Sequence, residues 1–445
     1  MRFSTICEML QHWAAINPEL PSITYSDITL SRSEVLSRFE DKRARFSSFK
    51  SVGFLLGEPD ADEVITLLAA IGSGLRVSLL DEALPDELLG TLIKNAECDA
   101  LEGDKELCDE LLQFLCEPKC SSRNEVLFYT SGTTSRSKAV VLSEASLCAS
   151  AYNGGELLPL SVNDRLLSLL PLNHVFGFVC SLLWPLSCGA EVAIGRGMRH
   201  ISDDFEYYRP TAVSLVPALA DFFTKRGHLN DELSLVLIGA GDCPSSVVSM
   251  LHAFGKRVCF GYGLTETSSG VALSVGDDVY AMDLCPDYTV TIAPDGEVLV
   301  KCPGAMMQGY FRDPEGTACV LRDGVLSTGD LGYIDEHGRL HITGRKKEML
   351  VLPGGTKIFL PEYEKSIAEV LGSDEICVFL RGGAPALAVA EGDEGEILAL
   401  LRPLMEKYPR SEQISRVFVR GKNLPRTKTG KIKRYEVEAL FGGKS

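Results

Sequence analysis

The sequence lacks several features that would assign it to a class of protein at once. Its 14 cysteines include no CxxC pair, and Cys116 and Cys120, the closest pair, have no further Cys or His at metal-site spacing. We therefore expect reduced, mostly buried thiols in a cytoplasmic protein. No run of about 18 apolar residues is present to span a membrane. The first residues, MRFSTICEMLQHW, have no basic region followed by an apolar run, so we expect no secretory signal.

The chain is acidic overall, but its last residues are basic. The formal net charge of −17 argues against nucleic acid or an anionic membrane as the main partner. From Ser411 to Ser445 there are nine Lys or Arg and three Glu, a net charge of +6. Such a segment is either a solvated face or a means of handling phosphate, and both readings stay open. The length predicts about two to four structural units.

Short apolar runs alternate with helix-like stretches over most of the chain. The runs predicted as buried strands are Glu125–Thr130, Arg165–Leu170, Glu191–Ile194, Thr211–Leu215 and Leu233–Ile238. Ser143 is a predicted N-cap, and Pro244 is a predicted first helical residue. Alternation of this kind predicts parallel sheets covered on both faces, with ligands at the carboxyl ends of the strands.

The pattern changes between about residues 287 and 343. Asp-Gly and His-Gly pairs separate short alternating strands there, which predicts a hairpin-rich β-subdomain. We therefore predict an α/β protein with an N-terminal domain of residues 1–345. It would comprise two parallel α/β subdomains over about residues 1–285 and a β-subdomain over about 286–345. A small α+β C-terminal domain would occupy residues 346–445. The sequence has no repeats and no low-complexity segment.

Five segments carry candidate chemistry. The first, Tyr129–Lys138 (YTSGTTSRSK), offers N–H groups and hydroxyls to phosphate, with a lysine at its far end. Its spacing is not that of the GxxxxGK[ST] phosphate loop. In the second, Gly261–Thr267 (GYGLTET), Glu266 offers a hard oxygen to Mg²⁺ and Thr265 a hydroxyl to phosphate. The ring of Tyr262 suits a purine base.

The remaining three segments add charged groups. STGDL places Asp330 after a predicted tight turn, where its carboxylate can accept both hydroxyls of a ribose. TGRKK offers Arg345 to the same ribose or to a phosphate. LPRTKTGKIKR carries Lys431 just beyond the flexible turn Thr429-Gly430. Taken singly, each segment also fits a surface loop, a turn cap or a solvated charge.

In this order and at these separations, the five segments resemble those of the adenylate-forming enzymes: acyl-CoA synthetases, adenylation domains and luciferase-like ligases. The resemblance covers nearly the whole chain, and within the superfamily it looks most like bacterial long-chain fatty-acid–CoA ligases. The further segments that carry it are PLNHVFG (171–177), YRPTA (208–212) with Val216-Pro217, CPDY (285–288), GYF (309–311) and residues 328–345.

The resemblance implies a role for each matching position. The ATP phosphates would be held by Thr130, Ser131, Gly132, Thr133, Thr134 and Lys138. The adenine would be lined by Gly239, Ala240, Gly241 and Tyr262, and the ribose by Asp330 and Arg345. The catalytic groups would be Thr265 on the α-phosphate, Glu266 as the Mg²⁺ ligand, and Lys431 between the carboxylate and the α-phosphate. The acyl pocket would contain His174, Val175, Phe176, Phe178 and Gly263. The C-terminal domain would be mobile about a hinge at Lys347, with the pantetheine tunnel lined by Gly354 and Gly355.

The implied reaction uses ATP and Mg²⁺ to convert a carboxylic acid to acyl-AMP with release of pyrophosphate. Transfer to coenzyme A would follow. His174 stands where amino-acid-activating relatives place an aspartate, and the apolar residues around it favour a fatty acid. Three alternatives stay open: an enzyme that loads an acyl carrier protein, an aryl or succinylbenzoate-type CoA ligase, and a non-catalytic acyl- or nucleotide-binding regulator.

The sequence departs from the family pattern at three places. Ser135, Ser137 and Ala139 stand where most relatives carry Gly, Pro and Gly, and we expect an altered rate rather than lost function. Gly355–Pro361 is one residue longer than usual, in the segment where pantetheine would pass. The region before Tyr129 is also short, which predicts a shortened or opened acyl tunnel.

Overall fold

Parallel strands alternate with helices through the first half of the computed structural model, which describes residues 1–118, 124–130, 138–241, 243–353, 356–426 and 432–441. The chain divides into two compact units. The first contains Met1–Thr328 and Tyr333–His341, and the second contains Gly329–Gly332 and Ile342–Ser445. The predicted domain boundary between residues 345 and 346, and the predicted motion of the C-terminal domain about Lys347, stay predictions.

The strands among the described residues are β1 Pro21–Tyr25, β2 Ile28–Ser31, β3 Ser51–Leu56, β4 Arg76–Asp81, β5 Ala100–Glu102, β6 Glu125–Thr130, β7 Lys138–Leu142, β8 Arg165–Ser168, β9 Glu191–Ile194, β10 Ala212–Leu215, β11 Leu235–Gly239, β12 Arg257–Leu264, β13 Ser269–Leu273, β14 Asp283–Leu284, β15 Thr289–Ile292, β16 Glu297–Lys301, β17 Gly309–Tyr310, β18 Leu321–Arg322, β19 Val325–Ile334, β20 Leu340–Arg345, β21 Met349–Val351, β22 Lys357–Phe359, β23 Ile376–Arg381, β24 Ala384–Val389 and β25 Val417–Val419.

The α-helices in the same ranges are α1 Ile6–Ile16, α2 Arg32–Arg45, α3 Ala61–Gly72, α4 Asp86–Ala96, α5 Lys105–Leu111, α6 Glu144–Leu157, α7 Val175–Phe178, α8 Trp184–Cys188, α9 Asp204–Tyr208, α10 Pro217–Arg226, α11 Ser245–Ala253, α12 Pro314–Val320, α13 Leu360–Leu371, α14 Glu394–Met405 and α15 Arg434–Phe441. A π-helical turn, Val179–Leu183, joins α7 to α8. Within the described part of the chain, no helix is both long and apolar enough to cross a membrane.

The first unit contains two mainly parallel sheets, as predicted. One has nine strands in the order β14-β13-β12-β11-β10-β8-β9-β1-β2, with parallel pairing from β12 through to β1. The other has the order β17-β7-β6-β4-β3-β5, with parallel pairing among β3, β4, β5 and β6. The inner strands are buried along their length because helices flank such sheets. The parallel α/β prediction is confirmed.

The β-subdomain predicted from Asp-Gly and His-Gly pairs is also present. Strands β15, β16, β19 and β18 form one sheet in this order, and β20 pairs with β19. Gly296, Gly324 and Gly338 have φ of 91°, 73° and 80°, the left-handed region in which glycine is unstrained. These glycines lie at the predicted turns between the strands.

The second unit has its own core. A two-stranded sheet, β21-β22, and a three-stranded sheet, β23-β24-β25, contribute buried side chains together with α13 and α14. Inside this unit, the Arg434 guanidinium binds the Glu364 carboxylate through both terminal nitrogens, at 2.7 and 2.8 Å. Every cysteine among the described residues of the chain is a free thiol, as the sequence predicts.

Several predicted boundaries were wrong by a few residues. The strand predicted over Arg165–Leu170 ends at Ser168. Pro244 is the N-cap of α11 rather than its first residue, because its ψ of 137° is not helical. Ser143 is the N-cap of α6 as predicted, and its hydroxyl accepts a hydrogen bond from the Ser146 N–H. These shifts are typical of helix and strand ends, where local preferences are weak.

Candidate active site

The two described ends of the segment predicted to bind phosphate are adjacent. Thr130 ends β6 and Lys138 begins β7, and these antiparallel strands pair Thr130 with Lys138. Residues Ser131, Gly132, Thr133 and Thr134, and the departures at Ser135 and Ser137, lie outside the described residues. The segment therefore connects two strands of a hairpin. The strand-to-helix phosphate loop of other nucleotide-binding proteins has a different geometry.

Glu266 lies in a single 3-10 turn, Thr265–Thr267, that follows β12 directly. Strand β12 extends through the first part of the predicted segment, to Leu264, because residues 261–264 pair with β13. After the turn, Ser268 and Ser269 have φ of 52° and 96°, which is strained for residues with a β-carbon. Strain of this kind is concentrated at functional sites, where the surrounding contacts maintain it.

The turn is held by two tyrosines that the sequence analysis gave no role. The Tyr288 hydroxyl donates to the Thr267 carbonyl at 2.8 Å. The Tyr310 hydroxyl donates to Oε1 of Glu266 at 2.7 Å. Both lie in segments used only to establish the resemblance, CPDY and GYF. Their presence in those segments was the one sequence feature that could have marked the two tyrosines as functional. Nothing in the sequence placed them beside Thr265–Thr267.

The residues predicted to hold adenine lie at the carboxyl ends of two neighbouring strands. Gly239 ends β11 and is paired with Gly261 of β12. Ala240 follows with φ of 64°, a left-handed conformation that is costly for a residue other than glycine. Tyr262 is half-buried on the next position of β12. This edge of a parallel sheet is the usual place for a ligand in such folds.

Gly263, predicted in the acyl pocket, is packed against backbone. A β-carbon there would overlap the carbonyl of Ser269, at an irregularity in the pairing of β12 with β13. Only glycine allows this approach. Gly263 therefore has a structural reason to be glycine that is independent of any ligand.

The residues predicted to line the acyl pocket differ in their exposure. The Phe176 ring is half-buried and lies against Gly239, where an added β-carbon would be 2.8 Å from Cζ of the ring. Val175 is 8% exposed. Phe178 is fully buried in the core, with its ring centroid 5.8 Å from that of Phe128. Phe178 is a core residue in this structure and offers no surface to a ligand.

His174 lies immediately before α7 at an exposed position. Desolvation nevertheless lowers its pKa, and the nearby charge of Asp81 opposes the shift. His174 is therefore expected to be neutral at pH 7, which fits a wall of a cleft better than a cationic partner for a carboxylate.

In the second unit, the two residues predicted to hold ribose are ion-paired. Nε of Arg345 is 2.8 Å from Oδ1 of Asp330, whose side chain is 3% exposed, while that of Arg345 is 58% exposed. Asp330 was predicted to follow a tight turn. It instead lies inside β19, preceded by Gly329 with φ of 72°. Lys347 is exposed in a short 3-10 turn, Lys346–Glu348. Gly354, Gly355 and Lys431 lie outside the described residues.

The donor set at Glu266 fits Mg²⁺ held jointly with a phosphate. Glu266 has one oxygen engaged by Tyr310, and its Oε2 takes no hydrogen bond among the described contacts. No group of three or more His, Cys, Asp or Glu in the described residues forms a complete metal site. Mg²⁺ usually takes one or two carboxylates and completes its shell with water and substrate phosphates. A single carboxylate therefore suffices here.

Comparison with known proteins decides the family. The model of the AMP-binding enzyme family matches residues 10–311. This chain belongs to the AMP-binding enzyme family. This AMP-binding enzyme is 32% identical over 369 residues to an indoleacetate–CoA ligase of Aromatoleum aromaticum, which covers 74% of this chain and 70% of that protein. It is 28% identical over 425 residues to a 2-succinylbenzoate–CoA ligase of Bacillus mycoides, covering 85% and 86%.

Solved structures show the same fold. O-succinylbenzoate coenzyme A synthetase (MenE) from Bacillus subtilis, in complex with AMP, has a TM-score of 0.76 and 21% identity, covering 98% of this chain and 99% of that one. ATP-bound MatB from Rhodopseudomonas palustris has a TM-score of 0.79 and 21% identity, covering 100% and 99%. The AMP-binding enzyme thus has the mixed α/β fold predicted from its sequence.

Proposed function

We propose that this AMP-binding enzyme activates an aromatic or arylalkanoic acid as its acyl-AMP, using ATP and Mg²⁺, and then transfers the acyl group to coenzyme A. The observation that carries the choice of acid is the Phe176 ring against Gly239. An aromatic wall lies there beside the strand end assigned to adenine. A planar aromatic acid packs well on such a wall, by offset or edge-to-face contact.

The exposure of the neighbouring residues favours a short acid over a long one. Of the predicted wall residues on α7, Val175 and Phe178 are in the core, which leaves Phe176 and the preceding His174 with accessible surface. A long alkyl chain needs an extended apolar tunnel to bury its area. The named relatives support the same choice, since they act on indoleacetate and 2-succinylbenzoate. The sequence-based preference for a fatty acid finds no support among them.

The charged groups fit the electrostatic demands of adenylation. A carboxylate attacking the α-phosphorus brings two anions together, so cations and donors near the phosphates lower the barrier. Lys138 would neutralise phosphate charge, and Thr265 would donate its hydroxyl to the α-phosphate. Glu266 would hold Mg²⁺, which adds positive charge at the phosphates when bound. The role of Lys431 as the catalytic lysine, the hinge at Lys347 and the cytoplasmic location stay predictions from the sequence.

The acceptor is proposed to be coenzyme A because the named relatives are CoA ligases. An acyl carrier protein as partner finds no support among them. The predicted route for pantetheine past Gly354 and Gly355 stays a prediction.

The test is ATP–pyrophosphate exchange over a panel of acids, each assayed with and without coenzyme A. We expect exchange with indoleacetate, phenylacetate or 2-succinylbenzoate, and thioester formation when coenzyme A is added. Lys431→Ala should lose exchange but still form thioester from supplied acyl-adenylate. Faster exchange with decanoate than with every aromatic acid would overturn the substrate class. Exchange without thioester would overturn the acceptor, and equal loss of both steps in Lys431→Ala would overturn the role of that lysine.

A further inference from the structure

A two-residue strand brings one tyrosine between two groups assigned to ATP. Strand β17 pairs antiparallel with β7, so that Tyr310 is opposite Val140, two residues after Lys138. The Met307 N–H donates to the Glu266 carbonyl at 2.8 Å. The segment around β17 is therefore bonded on one side to the strand that begins with Lys138. On its other side it is bonded to the turn that carries Glu266.

Tyr310 contacts the side chains of Lys138 and Glu266, one through its ring and the other through its hydroxyl. Its hydroxyl donates to Oε1 of Glu266 at 2.7 Å. Nζ of Lys138 lies 4.1 Å from the ring centroid, within the range of a cation–π contact. Among the described residues, no ion pair within 4 Å joins Lys138 to Glu266, and the carboxylate nearest the lysine is Asp313, at 3.9 Å. The Tyr310 side chain thus contacts both charged groups, which are not directly paired.

The backbone of Tyr310 is also held in place by a hydrogen bond. The Tyr310 N–H donates to Oγ1 of Thr317 at 2.8 Å, which fixes the backbone of the same residue.

We propose that Tyr310 is a positioning residue that orients the free oxygen of Glu266 toward the metal and holds the Lys138 ammonium beside it. This rests on the proposed function, in which Glu266 binds Mg²⁺ and Lys138 binds phosphate. A direct Lys138–Glu266 pair would neutralise both groups and withdraw them from the nucleotide. Residues that hydrogen-bond a metal ligand commonly change metal affinity by about 10–100-fold when replaced.

The matched variants are Tyr310→Phe and Tyr288→Phe. Each removes one hydroxyl that donates to the Thr265–Thr267 turn, but only Tyr310 donates to the Glu266 carboxylate. Mn²⁺ binding to the enzyme–ATP complex, followed by electron paramagnetic resonance, measures the effect without turnover. We expect Tyr310→Phe to weaken Mn²⁺ binding about 10-fold. It should leave metal-free ATP affinity unchanged, because the ring still faces Lys138. Tyr310→Leu should weaken metal-free ATP binding as well.

The outcomes separate the two proposals. Mn²⁺ binding by Tyr310→Phe equal to that of the wild type, or weakened equally in Tyr288→Phe, would overturn the role of Tyr310 alone. A wild type that binds Mn²⁺–ATP but exchanges pyrophosphate with no acid would overturn the proposed function. A wild type that binds no Mn²⁺–ATP would overturn both. The Mg²⁺ concentration for half-maximal exchange should rise in Tyr310→Phe and not in Tyr288→Phe.

Discussion

The Phe176 ring lies against Gly239, where an added β-carbon would be 2.8 Å from Cζ of the ring. The two residues belong to different sequence segments, one assigned to the acid and one to adenine. Their contact places those segments side by side within the first unit. The aromatic ring can occupy this position only because residue 239 has no side chain.

Gly239→Ala should therefore displace Phe176. We expect a loss of stability of about 1–3 kcal/mol from overpacking and a raised KM for the aromatic acid. Phe176→Leu should relieve the clash, so that the double variant loses less than the sum of the single variants, by about 0.5–3 kcal/mol. Chemical denaturation of the three variants measures this coupling.

Gly241→Ala is the matched control for that cycle. Its β-carbon would come no closer than 3.5 Å to a ring carbon of Pro217, an ordinary contact. We expect no coupling between Gly241→Ala and Phe176→Leu. Additive losses for Gly239→Ala and Phe176→Leu, like those of the control, would contradict the proposed packing.

Much of the fold could be predicted because its signals are local. Buried strands contain continuous apolar runs, as at Val192–Ile194, and the hairpins carry Asp-Gly or His-Gly pairs at positions that need positive φ. The strand containing Gly261–Leu264 was missed because its sequence, GYGL, has low strand propensity. Pairing with β13 stabilises it despite that.

The site could be predicted only as separate segments. The motifs identified Glu266 and Lys138, but the contact that joins them depends on β17, a strand of two residues about 40 positions beyond Glu266 along the chain. Phe178 was assigned to the pocket because core and pocket residues share the same apolar composition. Only its position against Phe128 distinguishes the two.

His174 should be neutral when the enzyme binds its acid. Desolvation lowers its pKa from the ordinary 6.5, and Asp81 opposes this, so Asp81→Asn should lower the pKa further. Since the folded pKa is the lower one, stability is lost as pH falls through 6.5, where the unfolded chain takes up the proton first. An NMR titration of the seven histidines, with the His174 signal assigned from the His174→Gln variant, gives the pKa of His174 in the wild type and in Asp81→Asn. An imidazolium at pH 7 would contradict the assignment of His174 as a neutral wall.

Glu144 should make the protein less stable at neutral than at acid pH. Burial raises its pKa, although the Ile6 N–H, which donates to its carboxylate at 2.8 Å, opposes the shift. The folded pKa is then above the unfolded value near 4.5, so this contribution to stability is full below pH 4.5 and is lost as pH rises through the folded pKa. Glu144→Gln keeps an acceptor for Ile6 and should be more stable than the wild type at pH 8 but not at pH 4. Denaturant midpoints across this range measure the difference, and the exposed Glu40→Gln should show no such trend.

Arg345→Ala should weaken ATP binding more than it weakens the fold. The Arg345 side chain is 58% exposed, so its ion pair with Asp330 adds at most about 1 kcal/mol to stability. Its proposed contact with the ribose is lost outright, and we expect KM for ATP to rise about 10-fold, equal to ~1.4 kcal/mol. KM for the acid should change little. The matched control is Arg339→Ala, which breaks another partly exposed ion pair, 2.9 Å long, with Asp335. Steady-state kinetics with ATP varied measures both variants. An equal rise in KM for ATP in the two variants would contradict the ribose assignment, because the loss would then come from the fold and not from a contact with the nucleotide.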